Sequence, residues 1–246
     1  MITIAHVSDL HLDGGPRATE RAERVMSYLR DLPGPLDAVL VTGDIADHAR
    51  PEEYQQAKEL FALPHPVLVL PGNHDRRAPF RTGLLDGKPD DEELNQAVRA
   101  GGATFLLLDS TIPGSDDGVL SDRTLAWLED ALAQEPTDRP VFVCFHHPPV
   151  ELHTPYVDRV RQFHEDRLAE VLARHTHVVA LLCGHAHVAA ATTFAGLPLL
   201  VAPGVASTVP LPFEGRDAVD YELAPGLAFH LLDDRRRLVT HYRALS

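Results

Sequence analysis

"ITIAHVSDLH" (residues 2–11) begins as an apolar, β-branched run and ends in an aspartate and a histidine two positions apart. Ile2, Ile4 and Val7 favour a pleated, half-buried chain, so residues 2–7 read as a strand. Positions two apart share a face, which presents Asp9 and His11 together at the strand's carboxyl end. Taken alone, such an ending is explained as well by turn or capping chemistry. What the rest of the chain places beside it decides its meaning.

The same grammar recurs. "DAVLVTG" (37–43), "PVLVLPG" (66–72), "ATFLLLDS" (103–110), "PVFVCF" (140–145) and "HVVALLC" (177–183) read as further strands. Between them lie helical patterns. Residues 18–32 are amphipathic and stop before Pro33, and 51–63 start on a proline, whose missing N–H costs nothing there. Residues 121–134 open on Ser121 as N-cap, and 157–175 form a last helix. Strands joined through helices predict a parallel core. After residue 187 short strands with turn signals follow, "AATTFAG", "LPLLVAP", "LAFHLLDD" and "RLVTHYRA", which add an antiparallel part. The expected fold class is α/β, with two packed mixed sheets flanked by helices. No break in composition marks a second domain, so residues 1–246 read as one.

Composition narrows the function. With 44% hydrophobic and 24% charged residues the chain reads as an ordinary soluble globular protein. No apolar run approaches a membrane span, so no membrane partner is expected. The N-terminal residues lack a basic segment, an apolar stretch and a cleavage site, and the two cysteines sit in apolar runs, so reduced thiols and a cytoplasmic location are expected. The formal net charge is −14, and no basic cluster exceeds Arg235–Arg237, which disfavours a long nucleic acid as partner. The 15 histidines are the compositional oddity.

Their positions matter more than their number. The run 37–43 is followed by Asp44, the run 66–72 by Asn73, His74 and Asp75, the run 140–145 by His146 and His147, and the run 177–183 by His185 and His187. With Asp9 and His11, five apolar runs end at side chains able to bind a metal. Ligands of open α/β sheets gather at the carboxyl ends of strands, so the five endings point to one site. Carboxylate, imidazole and amide oxygen suit Mn, Fe, Zn or Co, and the absence of cysteine from the set argues against a structural zinc site. Two aspartates, one asparagine and four histidines are too many for one ion. They fit two divalent or trivalent ions about 3.5–4 Å apart. Two such ions leave a net positive site inside an acidic protein, as an anionic phosphoester requires.

The ordered set D-x-H, G-D, G-N-H-D, H and G-H-x-H, spanning residues 9–187, resembles the calcineurin-like metallophosphoesterase superfamily. "LLLDSTIPG" (106–114), "GVLSDRTLAWLEDAL" (118–132) and "FHHPPVELH" (145–153) are similar to its bacterial class III cyclic-nucleotide phosphodiesterase and glycerophosphodiesterase branch. The resemblance implies a four-layer α/β/β/α sandwich and a homodimer. It implies one metal held by Asp9, His11 and His187, a second held by Asn73, His146 and His185, and Asp44 bridging them.

A water shared by two metals is acidified enough to attack phosphorus near neutral pH. The expected activity is therefore hydrolysis of a small phosphodiester, with 3′,5′-cyclic AMP or a related cyclic nucleotide the leading substrate and glycerophosphodiesters the alternative. His74 is the candidate acid for the leaving group or a phosphate contact, and Asp75 is expected to orient His74 or a ligand. His147 reads as a neighbour of the ligands or as a turn histidine before Pro148-Pro149. Arg76 and Arg77 read as a solvated charge pair, and the remaining histidines, His6 and His230 among them, as ordinary structural residues. Segments 147–158 and 203–216 are expected to line the substrate side, and their residues carry no adenine signature.

Overall fold

Apolar runs become strands and amphipathic segments become helices laid against them in the computed structural model, which describes residues 1–246. The first part of the chain supplies β1 (Ile2–Val7), α1 (Pro16–Arg30), β2 (Ala38–Thr42), α2 (Pro51–Leu60), β3 (Val67–Leu70) and α3 (Arg77–Leu84). Then come β4 (Gln96–Ala100), β5 (Ala103–Leu107), β6 (Gly118–Val119), α4 (Asp122–Gln134), β7 (Val141–Cys144), α5 (Pro155–Asp158), β8 (Gln162–Phe163), α6 (Glu165–Leu172) and β9 (Val178–Cys183). The last part supplies β10 (Ala190–Phe194), β11 (Leu197–Val201), β12 (Gly226–Leu232) and β13 (Leu238–Ala244).

Eleven of these strands form two mixed sheets, and β6 and β8 pair with each other apart from them. One runs β13-β12-β1-β2-β3, with β1, β2 and β3 parallel and the two C-terminal strands antiparallel. The other runs β10-β11-β9-β7-β5-β4, with a parallel centre and antiparallel edges. Strand alternation sorts the apolar side chains into three layers. Ile4, Leu40 and Leu70 of the first sheet meet Phe105, Phe142 and Leu182 of the second between the sheets. Val7, Val39 and Val41 point the other way and pack under Val25 and Met26 of α1 and Tyr54 of α2. Leu106, Val143 and Leu181 pack under Leu128 of α4 and Leu168 of α6. The layers therefore stack as α/β/β/α. All five residues of β2 are buried, as a parallel strand covered on both faces requires.

Ser121 caps α4, its hydroxyl accepting the Thr124 N–H at 3.0 Å. The segment 157–175 is not one helix. Gln162–Phe163 leaves the helical path to pair with Gly118–Val119, and His164 turns the chain with φ +58° before α6 starts. Its helical periodicity is real on the page of the sequence, but strand pairing overrides it. Helix α3 and edge strand β4 were not anticipated. No helix is long and apolar enough to cross a membrane, and both cysteines are buried and unpaired.

Candidate metal centre

The carboxyl ends of β1, β2, β3, β7 and β9 meet, and backbone hydrogen bonds lace their loops together. Asp9 N–H donates to the Gly43 carbonyl at 3.1 Å, His11 N–H to the Asp44 carbonyl at 2.9 Å, and Gly184 N–H to the His146 carbonyl at 3.0 Å. Asp9, His11, Asp44, His185 and His187 all have positive φ, between 43° and 67°. Asp and His tolerate this left-handed region better than most residues, yet each such position costs about 1–3 kcal/mol. His185 and His187 thus lie beyond the end of β9 in a tight turn, so strand alternation is not what sets their directions. Gly43 (φ +93°) is required for a second reason: a Cβ there would stand 2.5 Å from His146 Nδ1.

Two groups of donor atoms result, joined by Asp44. In the first, His187 Nε2 lies 3.1 Å from His11 Nε2 and 3.4 Å from Asp9 Oδ1, and His11 Nε2 lies 3.5 Å from Asp44 Oδ2. In the second, His146 Nε2 lies 3.2 Å from Asn73 Oδ1, 3.2 Å from His185 Nδ1 and 3.3 Å from Asp44 Oδ2. All seven sequence-nominated ligands are therefore brought together.

The outer ring nitrogens fix the tautomers. His11 Nδ1 donates to Asp47 Oδ1 at 2.9 Å, His187 Nδ1 to the Ser207 carbonyl at 3.3 Å with the Ser207 hydroxyl 2.8 Å away, and His146 Nδ1 to the Thr42 carbonyl at 2.6 Å. In a neutral imidazole the other nitrogen is then a lone pair. His11 Nε2 and His187 Nε2 consequently aim lone pairs at each other and at carboxylate oxygens. His146 Nε2 likewise faces an amide oxygen, an imidazole nitrogen and a carboxylate. Groups rich in lone pairs that converge in this way repel one another unless a positive charge, a metal ion or a proton, lies among them. The residues present fit metal ions on this chemistry.

In the metal-free cluster protons take the place of cations: burial opposes a charge on His11, but the carboxylates of Asp47, Asp44 and Asp9 prevail and raise its pKa. Burial pushes the His146 pKa down, but the Asp44 carboxylate beside it prevails and raises it to about 9. Burial pushes Asp44 up, yet His146 and His11 hold it well below the usual carboxylate range. His185 and His187 stay neutral, mainly through burial, and the His185 Nε2 is buried without a partner.

The supporting residues follow only part of the expectation: of the two roles open to Asp75, the one on the His74 ring is not seen. Asp75 does not touch the His74 ring; its carboxylate accepts the N–H groups of Gly72, Ile45 and Ala46 and the hydroxyl of Tyr54. It braces the loops after β2 and β3. His74 instead donates from Nδ1 to the Asp47 carbonyl at 3.0 Å, its ring edge-on to His11, while its backbone N–H donates to Asp44 Oδ1 at 2.9 Å. Both nitrogens of His147 are engaged, with Ser110 Oγ at 2.8 Å and the Asp116 carbonyl at 3.2 Å, and its ring packs 4.5 Å from that of His185. Arg77 is not solvated but pairs with buried Asp109 at 2.8 Å. Asp47 and Ser207 escaped the sequence reading. Asp47 had a signal, three residues past Asp44 on the same loop; Ser207 follows the stretch "PGVA" (203–206) with none.

A cavity of about 540 Å³ opens on the cluster. His11, Asp44, Asn73, His74, His185 and His187 form its floor. Its wall comes from residues 156, 157 and 160 and from 206, 207, 209, 219 and 221, which shifts and extends the expected substrate segments.

Residues 2–189 match the family model described as calcineurin-like phosphoesterase. The chain is 33% identical to a glycerophosphodiester phosphodiesterase of Enterobacter lignolyticus, over 90% of this chain and 84% of that protein. It is 33% identical to a cAMP/cGMP dual specificity phosphodiesterase of Mycobacterium tuberculosis, over 83% and 68% respectively. Among solved structures, a dimetal phosphatase from Danio rerio superposes with a TM-score of 0.72 at 16% identity, covering 100% of this chain and 96% of that one.

Proposed function

The chain belongs to the calcineurin-like phosphoesterase family, and we propose that it is a dinuclear metal-dependent phosphodiesterase acting on a small phosphodiester, a 3′,5′-cyclic nucleotide such as cyclic AMP being the leading substrate. The observation that carries this reading is the convergence of imidazole, carboxylate and amide-oxygen donor atoms into two groups that share Asp44. Asp9, His11 and His187 would hold one cation, Asn73, His146 and His185 the other, and Asp44 both. Oxygen and imidazole donors suit Mn, Fe, Zn or Co. Bound cations supply Lewis acidity, which acidifies water and neutralises charge on phosphoryl oxygens.

The chain's own groups do the rest. Asp47, Ser207 and the Thr42 carbonyl orient three ligand imidazoles. His74, with the Nδ1 proton committed to the Asp47 carbonyl, keeps Nε2 for the substrate; as the imidazolium, with a second proton on Nε2, it gives that proton to the leaving alkoxide and remains as the neutral ring.

Family membership and both relatives support phosphodiester hydrolysis. At equal identity their names support two substrates, so a glycerophosphodiester is the second reading. A metal-supplemented hydrolysis panel tests the proposal: cyclic AMP, glycerophosphodiesters, bis(p-nitrophenyl) phosphate and the monoester p-nitrophenyl phosphate. Diesters should turn over faster. A strong preference for the monoester overturns the substrate class, and unchanged metal content in Asp44→Ala overturns the bridging role.

A further inference from the structure

Two of the five large hydrophobic side chains that the fold leaves exposed, Tyr156 (62% exposed) and Tyr221 (49%), line the same cavity above the metal-ligand cluster. Exposed aromatics scattered singly need no explanation; two on the wall of one cleft do. Val157, Val160, Val209 and Val219 continue the wall, so this side of the cavity is apolar while its floor is charged.

The wall is built, not draped. Tyr221 lies next to Asp220, which bridges to Thr208 and accepts the N–H groups of Glu222 and Leu223 at 2.8 and 3.0 Å. Arg21 of α1, largely buried, clamps the segment from below by donating to the carbonyls of Val205, Tyr221 and Leu223. Arg17, one helical turn earlier, lays its guanidinium over the Tyr221 ring at 4.2 Å while donating to the Ala206 carbonyl at 3.0 Å. Tyr156 stands on α5, whose carboxyl-terminal Asp158 accepts the Leu152 N–H at 2.8 Å.

We infer that Tyr156 and Tyr221, with Arg17 stacked on Tyr221, form a lobe that receives an aromatic arm of the phosphodiester, of nucleobase size. The inference rests on the phosphodiesterase reading above and decides between its two substrates. A planar base stacks on tyrosine and on a guanidinium plane. A glycerol arm is all hydroxyl and gains little from four valines. A quaternary ammonium arm would also fit tyrosines, but Arg17 already places a cation on one of them and repels a second.

The test compares ligands that share a phosphate and differ in the arm. Binding of adenosine 5′-monophosphate, ribose 5-phosphate and phosphocholine to the manganese-loaded protein is measured by calorimetry. Adenosine monophosphate should bind about ten-fold more tightly than ribose phosphate, the size of one base–aromatic stack. That ratio should fall towards one in Tyr156→Ala and Tyr221→Ala and return in Tyr156→Phe and Tyr221→Phe. Equal affinities in the wild type, or tightest binding of phosphocholine, overturn the lobe. Hydrolysis of bis(p-nitrophenyl) phosphate in the same preparation separates the two readings. If it proceeds while the ratio is one, the lobe assignment fails alone. If no metal supports it, the phosphodiesterase reading fails whatever the ratio.

Discussion

Asp47 Oδ1 stands 2.9 Å from Nδ1 of His11, the ring nitrogen that faces away from Asp9 and His187. The pair fixes the His11 tautomer, and its charge makes the inward nitrogen a stronger donor to a metal. The same carboxylate lies 3.3 Å from His74 Nδ1, so one residue orients a ligand and the candidate acid. Asp47→Ala should therefore weaken metal binding about 10- to 100-fold. Titration of the metal-free protein with Mn²⁺ checks this. Activity should recover partly at high metal concentration, because the ligands themselves remain; an unchanged affinity would remove Asp47 from the support of the site.

His74 gives a prediction about the leaving group. Its ring reaches the cavity with Nδ1 already committed to the Asp47 carbonyl. An alkoxide leaving group needs a proton, whereas p-nitrophenolate leaves without one. His74→Ala should lower kcat for cyclic AMP by about 100-fold or more and lower it much less for bis(p-nitrophenyl) phosphate. Equal losses on both substrates would assign His74 to phosphate contact instead of proton donation.

How much of this was legible in the sequence follows from what each feature depends on. Parallel strands buried on both faces leave continuous apolar runs, and the loops after them begin where those runs end. That is why β1, β2, β3, β7 and β9, and the seven donors behind them, could be read directly. Residues 157–175 carried a helical pattern that pairing of Gln162–Phe163 with Gly118–Val119 overrode, and no local signal records a partner over 40 residues away. The partner of Arg77, buried Asp109, and the backbone groups held by Asp75 are hidden from the sequence for a related reason. A carboxylate beside a histidine in sequence looks like its partner, but the turn after β3 aims Asp75 at backbone N–H groups of the neighbouring loop. Tyr221 joins the cavity through the Thr208–Asp220 bridge and the Arg21 clamp, both set by tertiary structure.

Metal removal should destabilise the protein as well as silence it. Five of the seven donor residues hold a left-handed backbone, and imidazole nitrogens of different ligands stand only 3.1 and 3.2 Å apart. A ligand that binds only the folded state at 100 times its Kd adds about 2.7 kcal/mol. For a chain of this size the melting midpoint should fall by roughly 5–10 °C on chelation. Differential scanning calorimetry with and without a chelator measures the shift, and Asp44→Ala should show little of it. A wild-type midpoint insensitive to chelation would argue against cations at this cluster.

The buried pair His6–His230 predicts a pH dependence away from the metal ligands. His6 Nδ1 lies 3.0 Å from His230 Nε2, and the outer nitrogens reach Thr42 Oγ1 and Thr240 Oγ1, each at 2.9 Å. Two neutral imidazoles bonded head to tail satisfy every nitrogen, so this pair has no use for a second proton. Burial lowers the His230 pKa from 6.5 to about 3 and holds His6 well below 6.5, the neighbouring imidazole adding to the effect on His6. The unfolded chain therefore binds more protons than the folded one below pH 6.5. The pair's contribution is complete above that pH and is lost as pH falls towards 3, by about 1.4 kcal/mol per pH unit for each histidine. Asp75 works in the opposite direction: burial, then the Asp44 charge, raises it to about 6, so the folded state gains protons as pH falls through that value. Comparing the metal-free wild type with the double variant His6→Leu/His230→Leu cancels Asp75 and isolates the pair. Urea unfolding at pH 7 and pH 5 should show a smaller loss of stability in the variant, even though its stability at pH 7 is lower. Equal losses in both proteins would show that the histidines do not stay neutral in the fold.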